Sequence, residues 1–124
     1  MGAALTMGQV EERIVRADDE LAELTGTHMD LADAAAKAEA NWKRHRDTVI
    51  VQAVRGPDRT ASDFREALAR EQIDPMTKKP GHELYEDYKV TEAAAGSSAR
   101  AMRAIEARLS AFQTIAANVR NQTS

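Results

Sequence analysis

The chain has 124 residues, no cysteine, one tryptophan and a net charge of −3. Without cysteine there is no disulfide, zinc–thiolate site or thiol nucleophile, and no run of about 18 apolar residues exists to span a membrane. Alanine supplies 24 residues, whereas Leu, Ile, Val and Phe together supply 21. That is few large side chains for a core, and with so little net charge the periodicity must decide between order and disorder.

The opening segment, MGAALTMGQV, lacks the charged and apolar regions of a secretory leader, so a cytoplasmic protein is expected. From Val10 onward, apolar or small residues recur at spacings of four and three: Val10, Ile14, Ala17, Leu21, Leu24, His28, Leu31, Ala35, Ala38, Trp42, His45, Val49 and Gln52. This is a coiled-coil-like heptad seam. Thr6 and Gln9 have capping-box spacing, and Gly56-Pro57 supplies a stop. The reading is one helix from about Met7 to Arg55, roughly 70 Å long. Gly26 is costly inside a helix, and Thr27 with Asp30 could restart one, yet the register passes through without slipping.

A short helix is expected from about Ala61 to Gln72, opened by Thr60 with Asp63 and sharing Phe64, Ala67 and Leu68 on one face. A loop follows from Ile73 to Gly81. Its Asp74–Pro80 stretch reads either as a recognition loop or as a spacer. The last helix, about His82 to Arg120, carries a second seam: Leu84, Tyr88, Thr91, Ala95, Ser98, Met102, Ile105, Leu109, Phe112, Ala116 and Val119.

Neither stripe can be buried alone, so the expected fold is all-α: an antiparallel long-helix hairpin in a single domain, with the short helix and loop at its tip. Setting Gln52 opposite Leu84 places Ala35 and Ala38 against Ala101 and Ser98. It also sets Leu31 against Ile105, Leu24 against Phe112, and Trp42 beside Ala94, Ala95 and Gly96. Two helices leave seam edges open, and Val15, Met29, Ile50, Val51, Val54, Val90 and Ile115 widen the apolar stripe. The short helix and loop could wrap back over the Val49–Val54 end, which leaves Val15, Met29 and Ile115 unexplained; self-association is expected, carried by Leu21, Leu24, Leu31, Trp42, Met102, Ile105, Leu109 and Phe112.

Charge is segregated. Residues 1–40 hold nine acids and three bases, and residues 41–82 hold nine bases and six acids. Lys43, Arg44, Arg46, Arg55, Arg59, Lys78 and Lys79 form a basic patch that would suit nucleic acid, or else a solvated helix face. His28, His45 and His82 lack metal-ligand spacing; His28 and His45 read as polar seam residues that set register or oligomer state. Asp18-Asp19-Glu20 and Glu86-Asp87 read as solubilising or dipole-complementing carboxylates. No phosphate loop, catalytic triad order or HExxH occurs. No enzyme activity, metal or cofactor is expected; a homo-oligomer with a protein partner is, and no membrane.

Trp42 followed by Lys43-Arg44 inside a helix does not fit the turn of WXG-type secreted hairpins, although Tyr88-Lys89-Val90-Thr91-Glu92 matches their tail signal. The stretch Ala104-Ile105-Glu106-Ala107-Arg108-Leu109-Ser110-Ala111-Phe112-Gln113-Thr114, with Arg120 after it, resembles the last helix of small Ala/Arg-rich helical proteins of bacteriophage genomes. That resemblance implies an accessory or adaptor protein, encoded near replication or recombination genes, with no catalytic residue to carry over. The basic patch gives the alternative of a nucleic-acid-binding accessory.

Overall fold

A computed structural model describes residues 5–55 and 62–123. Three helices account for nearly all of them: α1 (Met7–Arg55), α2 (Ser62–Glu71) and α3 (Gly81–Thr123). The long helices α1 and α3 pack against one another as an all-α hairpin, and no described helix is long and apolar enough to cross a membrane. The expected stop at Gly56-Pro57, the pairing of Thr60 with Asp63, and Arg59 lie outside the described residues.

The start of α1 is a reciprocal capping box. The Thr6 N–H donates to Gln9 Oε1 at 3.0 Å, and the Gln9 N–H donates to Thr6 Oγ1 at 3.2 Å. Two otherwise orphaned donors are thereby satisfied. Helix α1 is continuous through Gly26. The hydroxyls of Thr25 and Thr27 donate to the carbonyls of Leu21 and Glu23, one turn back. Those are helix-interior bonds, so Thr27 caps no new start.

The chain divides into two compact units. The two-helix unit pairs α1 up to Met29 with α3 from Gly96. Its buried apolar residues are Val10, Ala17, Ile105 and Ala116. Ile14, Leu21, Leu24, Met102, Leu109, Phe112, Ile115 and Val119 are only half-buried. The unit also holds two buried polar atoms without a hydrogen-bond partner among the described residues, His28 Nδ1 and Ser98 Oγ.

The three-helix unit, Asp30–Ala95, adds α2 and the loop after it. Its core is Trp42, Val49, Ala69 and Leu84, with Leu68, Tyr85 and Tyr88 packed around it. Full burial of side chains such as Val49 and Leu84 contributes about 1.5–3 kcal/mol each. The indole of Trp42 meets Tyr85 edge-on at a centroid distance of 5.2 Å, a favoured aromatic geometry.

The expected pairing register is wrong in both units. Trp42 lies against Tyr85, about nine residues before the Ala94–Gly96 stretch expected to receive it. Leu84 clusters with Trp42 and Val49, while Gln52, its expected partner, is exposed. In the two-helix unit, Arg108 pairs with Glu20 and Phe112 lies beneath Arg13, where the expected register set His28 and Leu24. The physical reason is the short helix. Placing Gln52 opposite Leu84 ended the long helices level. The structure instead packs α2 on the Val49 end of α1, in keeping with the wrapped-back arrangement, and the start of α3 lies about two and a half turns back along α1.

Candidate functional site

Among the described residues, a dense set of polar contacts holds the loop between α2 and α3. Asp74 sits before Pro75, and an aspartate followed by a turn commonly accepts from the N–H groups two and three residues on. Here the Met76 N–H reaches Asp74 Oδ1 at 3.4 Å, and the Thr77 N–H and hydroxyl reach Oδ2 at 3.2 and 2.7 Å. Arg44 of α1 adds a two-pronged bond, Nη1 to Oδ1 at 3.0 Å and Nη2 to Oδ2 at 2.9 Å. Asp74 is 1% exposed. The Arg44 guanidinium, then the Thr77 hydroxyl and backbone donors, hold the Asp74 carboxyl well below the usual carboxylate range, against the opposing effect of burial. The same contact raises Arg44 above its ordinary value.

The backbone closes around this carboxylate. The Asp74 N–H donates to the Lys79 carbonyl and the Lys78 N–H to the Asp74 carbonyl, at 2.9 and 2.8 Å. Lys78 takes a left-handed φ of 61°, a strained value for a side-chain-bearing residue. Ile73 and Pro80 form an antiparallel bridge, and the Gly81 N–H donates to the Gln72 carbonyl at 2.9 Å. At Gly81 an added Cβ would fall 1.7 Å from the Ala69 carbonyl oxygen, so only glycine permits the end of α2 to touch the start of α3. The same Ala69 carbonyl accepts from His45 Nε2 at 2.8 Å, which satisfies one orphan acceptor in the last turns of α2. His45 thus faces α2 and the loop, with its Nδ1 3.9 Å from Asp74 Oδ1.

This rigid loop shows apolar groups to solvent. Ile73 and Met76 are 66% and 74% exposed, and with Pro75 they border a groove whose other wall is Thr48, Val49 and Gln52 of α1. In the two-helix unit, Arg13, Arg16, Glu20, Arg108 and Phe112 line a second groove. The Arg13 guanidinium stands 5.9 Å from the centroid of the Phe112 ring.

Of the expected assembly residues, Trp42 and Ile105 are buried. Leu21, Leu24, Leu31, Met102, Leu109 and Phe112 remain half-exposed. The expected basic patch is largely engaged inside the chain. Arg44 clamps Asp74, Lys43 pairs with Glu39, Arg46 lies 3.4 Å from Asp47, and Lys79 lies 3.3 Å from Asp87. Lys78 and Arg55 are exposed. Lys43 is raised above its ordinary value by Glu39. The Asp74–Pro80 stretch reads in sequence as a recognition loop or a spacer, with no role for Asp74 itself; the spacing of Asp74 to Thr77, with a proline between, is the signal that points to it. Arg13 and Gly81 were missed as well, because both depend on partners distant in sequence. Among the described residues no group of three His, Asp or Glu is placed to hold a metal ion.

No family model, curated protein or solved structure matches the chain.

Proposed function

We infer that this is a non-enzymatic interaction protein, an accessory or adaptor of the phage-encoded kind that works by self-association and by binding a protein partner. The observation that carries the reading is the thin core of the two-helix unit. The three-helix unit seals a core of Trp42, Val49, Ala69 and Leu84. The two-helix unit buries two alanines, one valine and one isoleucine as its apolar core and leaves Leu21, Leu24, Met102, Leu109 and Phe112 half-exposed. A soluble monomer gains little from apolar side chains held at the edge of a seam, whereas an assembling protein gains their burial on association.

The loop supports the partner-binding half of the reading. Its backbone is fixed before anything binds, so the exposed Ile73 and Met76 would lose little freedom on contact, which favours affinity. A nucleic-acid role draws less support, because Arg44 is occupied by Asp74 and Lys43 and Lys79 have carboxylate partners.

Multi-angle light scattering across a hundredfold range of concentration tests the reading. A discrete oligomer is expected. A stable monomer at the highest concentration would overturn it.

A further inference from the structure

Little holds the two-helix unit closed. Its buried apolar residues are Val10, Ala17, Ile105 and Ala116, while Leu21, Leu24, Leu109 and Phe112 stay half in water. Burial stabilises in proportion to the apolar area removed from water, so alanines and half-covered side chains contribute little. The Glu20–Arg108 pair adds little more, because both side chains are about half exposed and such pairs are screened.

One level of the seam works against closure. Counting on from Glu20 and back from Arg108 brings His28 of α1 to within about one turn of Ser98 of α3. These two residues carry the buried atoms that have no hydrogen-bond partner among the described residues, His28 Nδ1 and Ser98 Oγ. Each loses water when the helices meet, gains no bond in return, and recovers its water when they part. The three-helix unit is the reverse case. It buries Trp42, Val49, Ala69 and Leu84 together, and its buried Asp74 and His45 are both hydrogen-bonded.

We propose that the two-helix unit is a clasp: α1 up to Met29 and α3 from Gly96 part in one cooperative step while the three-helix unit stays folded. Native proteins open in contiguous units of this kind, and the sparsely packed ones open most readily. Parting rehydrates His28 and Ser98 and releases Leu21, Leu24, Leu109 and Phe112 together, with the loop around Asp74 undisturbed. Helices without tertiary packing are marginal in water, so their amides exchange with solvent once the clasp is open. The clasp is a property of one copy and does not rest on self-association.

Backbone hydrogen exchange tests it, at dilutions where protection no longer changes with concentration and a second copy plays no part. Amides of residues 14–28 and 98–116 are expected to share one level of protection, at least about tenfold below that of residues 42–49 and 84–88. Protection that falls smoothly toward the free ends would be fraying and would overturn the single step. Equal protection throughout would make the chain one cooperative body and overturn it as well. A second measurement uses Ile105→Ala. Protection is expected to drop on both helices of the two-helix unit and to hold at residues 42–49. A drop confined to α3, or spread evenly over both units, overturns the clasp. Where Ile105→Ala melts the two-helix unit outright, seen as lost far-UV circular dichroism, unchanged Trp42 emission supports the clasp and a red shift overturns it.

Discussion

Arg44 and Asp74, thirty residues apart in the chain, are joined by two near-parallel hydrogen bonds of 3.0 and 2.9 Å. This bond sets where the loop lies on α1, and through the loop where α3 begins. Aligned pairs of this kind fix direction as well as distance. Breaking one end of a buried pair leaves the other charge without compensation, a larger penalty than the pair's own net contribution.

Asp74→Asn is therefore expected to destabilise the three-helix unit by about 2–3 kcal/mol, below the range for wholly buried pairs because the Arg44 side chain is about a third exposed. Arg44→Lys keeps the charge but loses the fork, and about 1–2 kcal/mol is expected to go with it. Urea unfolding followed by the fluorescence of Trp42, the only tryptophan, reads both. An Asp74→Asn variant as stable as wild type would remove the pin from the account of the fold.

Acid should act through the same residue. The Asp74 carboxyl lies well below its ordinary range when folded, and near 4 when unfolded. The unfolded chain therefore takes up the proton first, so this contribution to stability is complete above about pH 5 and is lost as pH falls through the folded value. The melting temperature of wild type should drop more steeply below pH 4 than that of Asp74→Asn. Parallel acid profiles would contradict this.

Two glycines in helices should respond oppositely to alanine. At Gly26 nothing lies within 4 Å of an added Cβ, so Gly26→Ala should stabilise by about 1 kcal/mol through helix propensity. At Gly81 the Cβ would collide with the Ala69 and Arg70 backbone, which cannot move aside as a flexible side chain would. Gly81→Ala is expected to separate α2 from α3 and expose Trp42, seen as a red-shifted emission; unchanged emission would refute the close approach.

Ser98 offers a gain. Its hydroxyl is buried without a hydrogen-bond partner among the described residues, and an unsatisfied buried polar group costs about 1–3 kcal/mol. Ser98→Ala should raise the midpoint of thermal unfolding by a few degrees. A lower midpoint would show that the hydroxyl is satisfied in solution.

Helix boundaries were legible because their signals are local: Thr6 with Gln9 caps α1, and the heptad pattern passes Gly26 intact in sequence and structure. Register was not legible. Ala94, Ala95 and Gly96 offered Trp42 a smooth bed, and nothing in a heptad of small residues penalises a slide of two turns. What decided the matter was α2 on Val49 and the grip of Arg44 on Asp74, contacts between segments that no periodicity links. His45 illustrates the same limit. The pattern places it on the seam of α1 as a polar residue that sets register or oligomer state; it is buried, but against α2, and its partner, the Ala69 carbonyl, is a backbone atom that a sequence pattern does not display.

The span of chain enclosed by each contact also orders how the hairpin can close. The bonds around Asp74 join neighbours two to five residues apart, and those of His45 to Ala69 and Arg44 to Asp74 enclose 24 and 30. The Glu20–Arg108 bond encloses 88. Closing a loop costs entropy that grows with the logarithm of its length, and short-range contacts form before long-range ones repay that cost. The loop and the three-helix unit are thus the natural nucleus, and once they are formed the remaining helices zip from a closed bend outward. Mutations at Arg44, Asp74 and Gly81 would then slow folding, whereas mutations among Leu21, Leu109 and Phe112 would chiefly quicken unfolding.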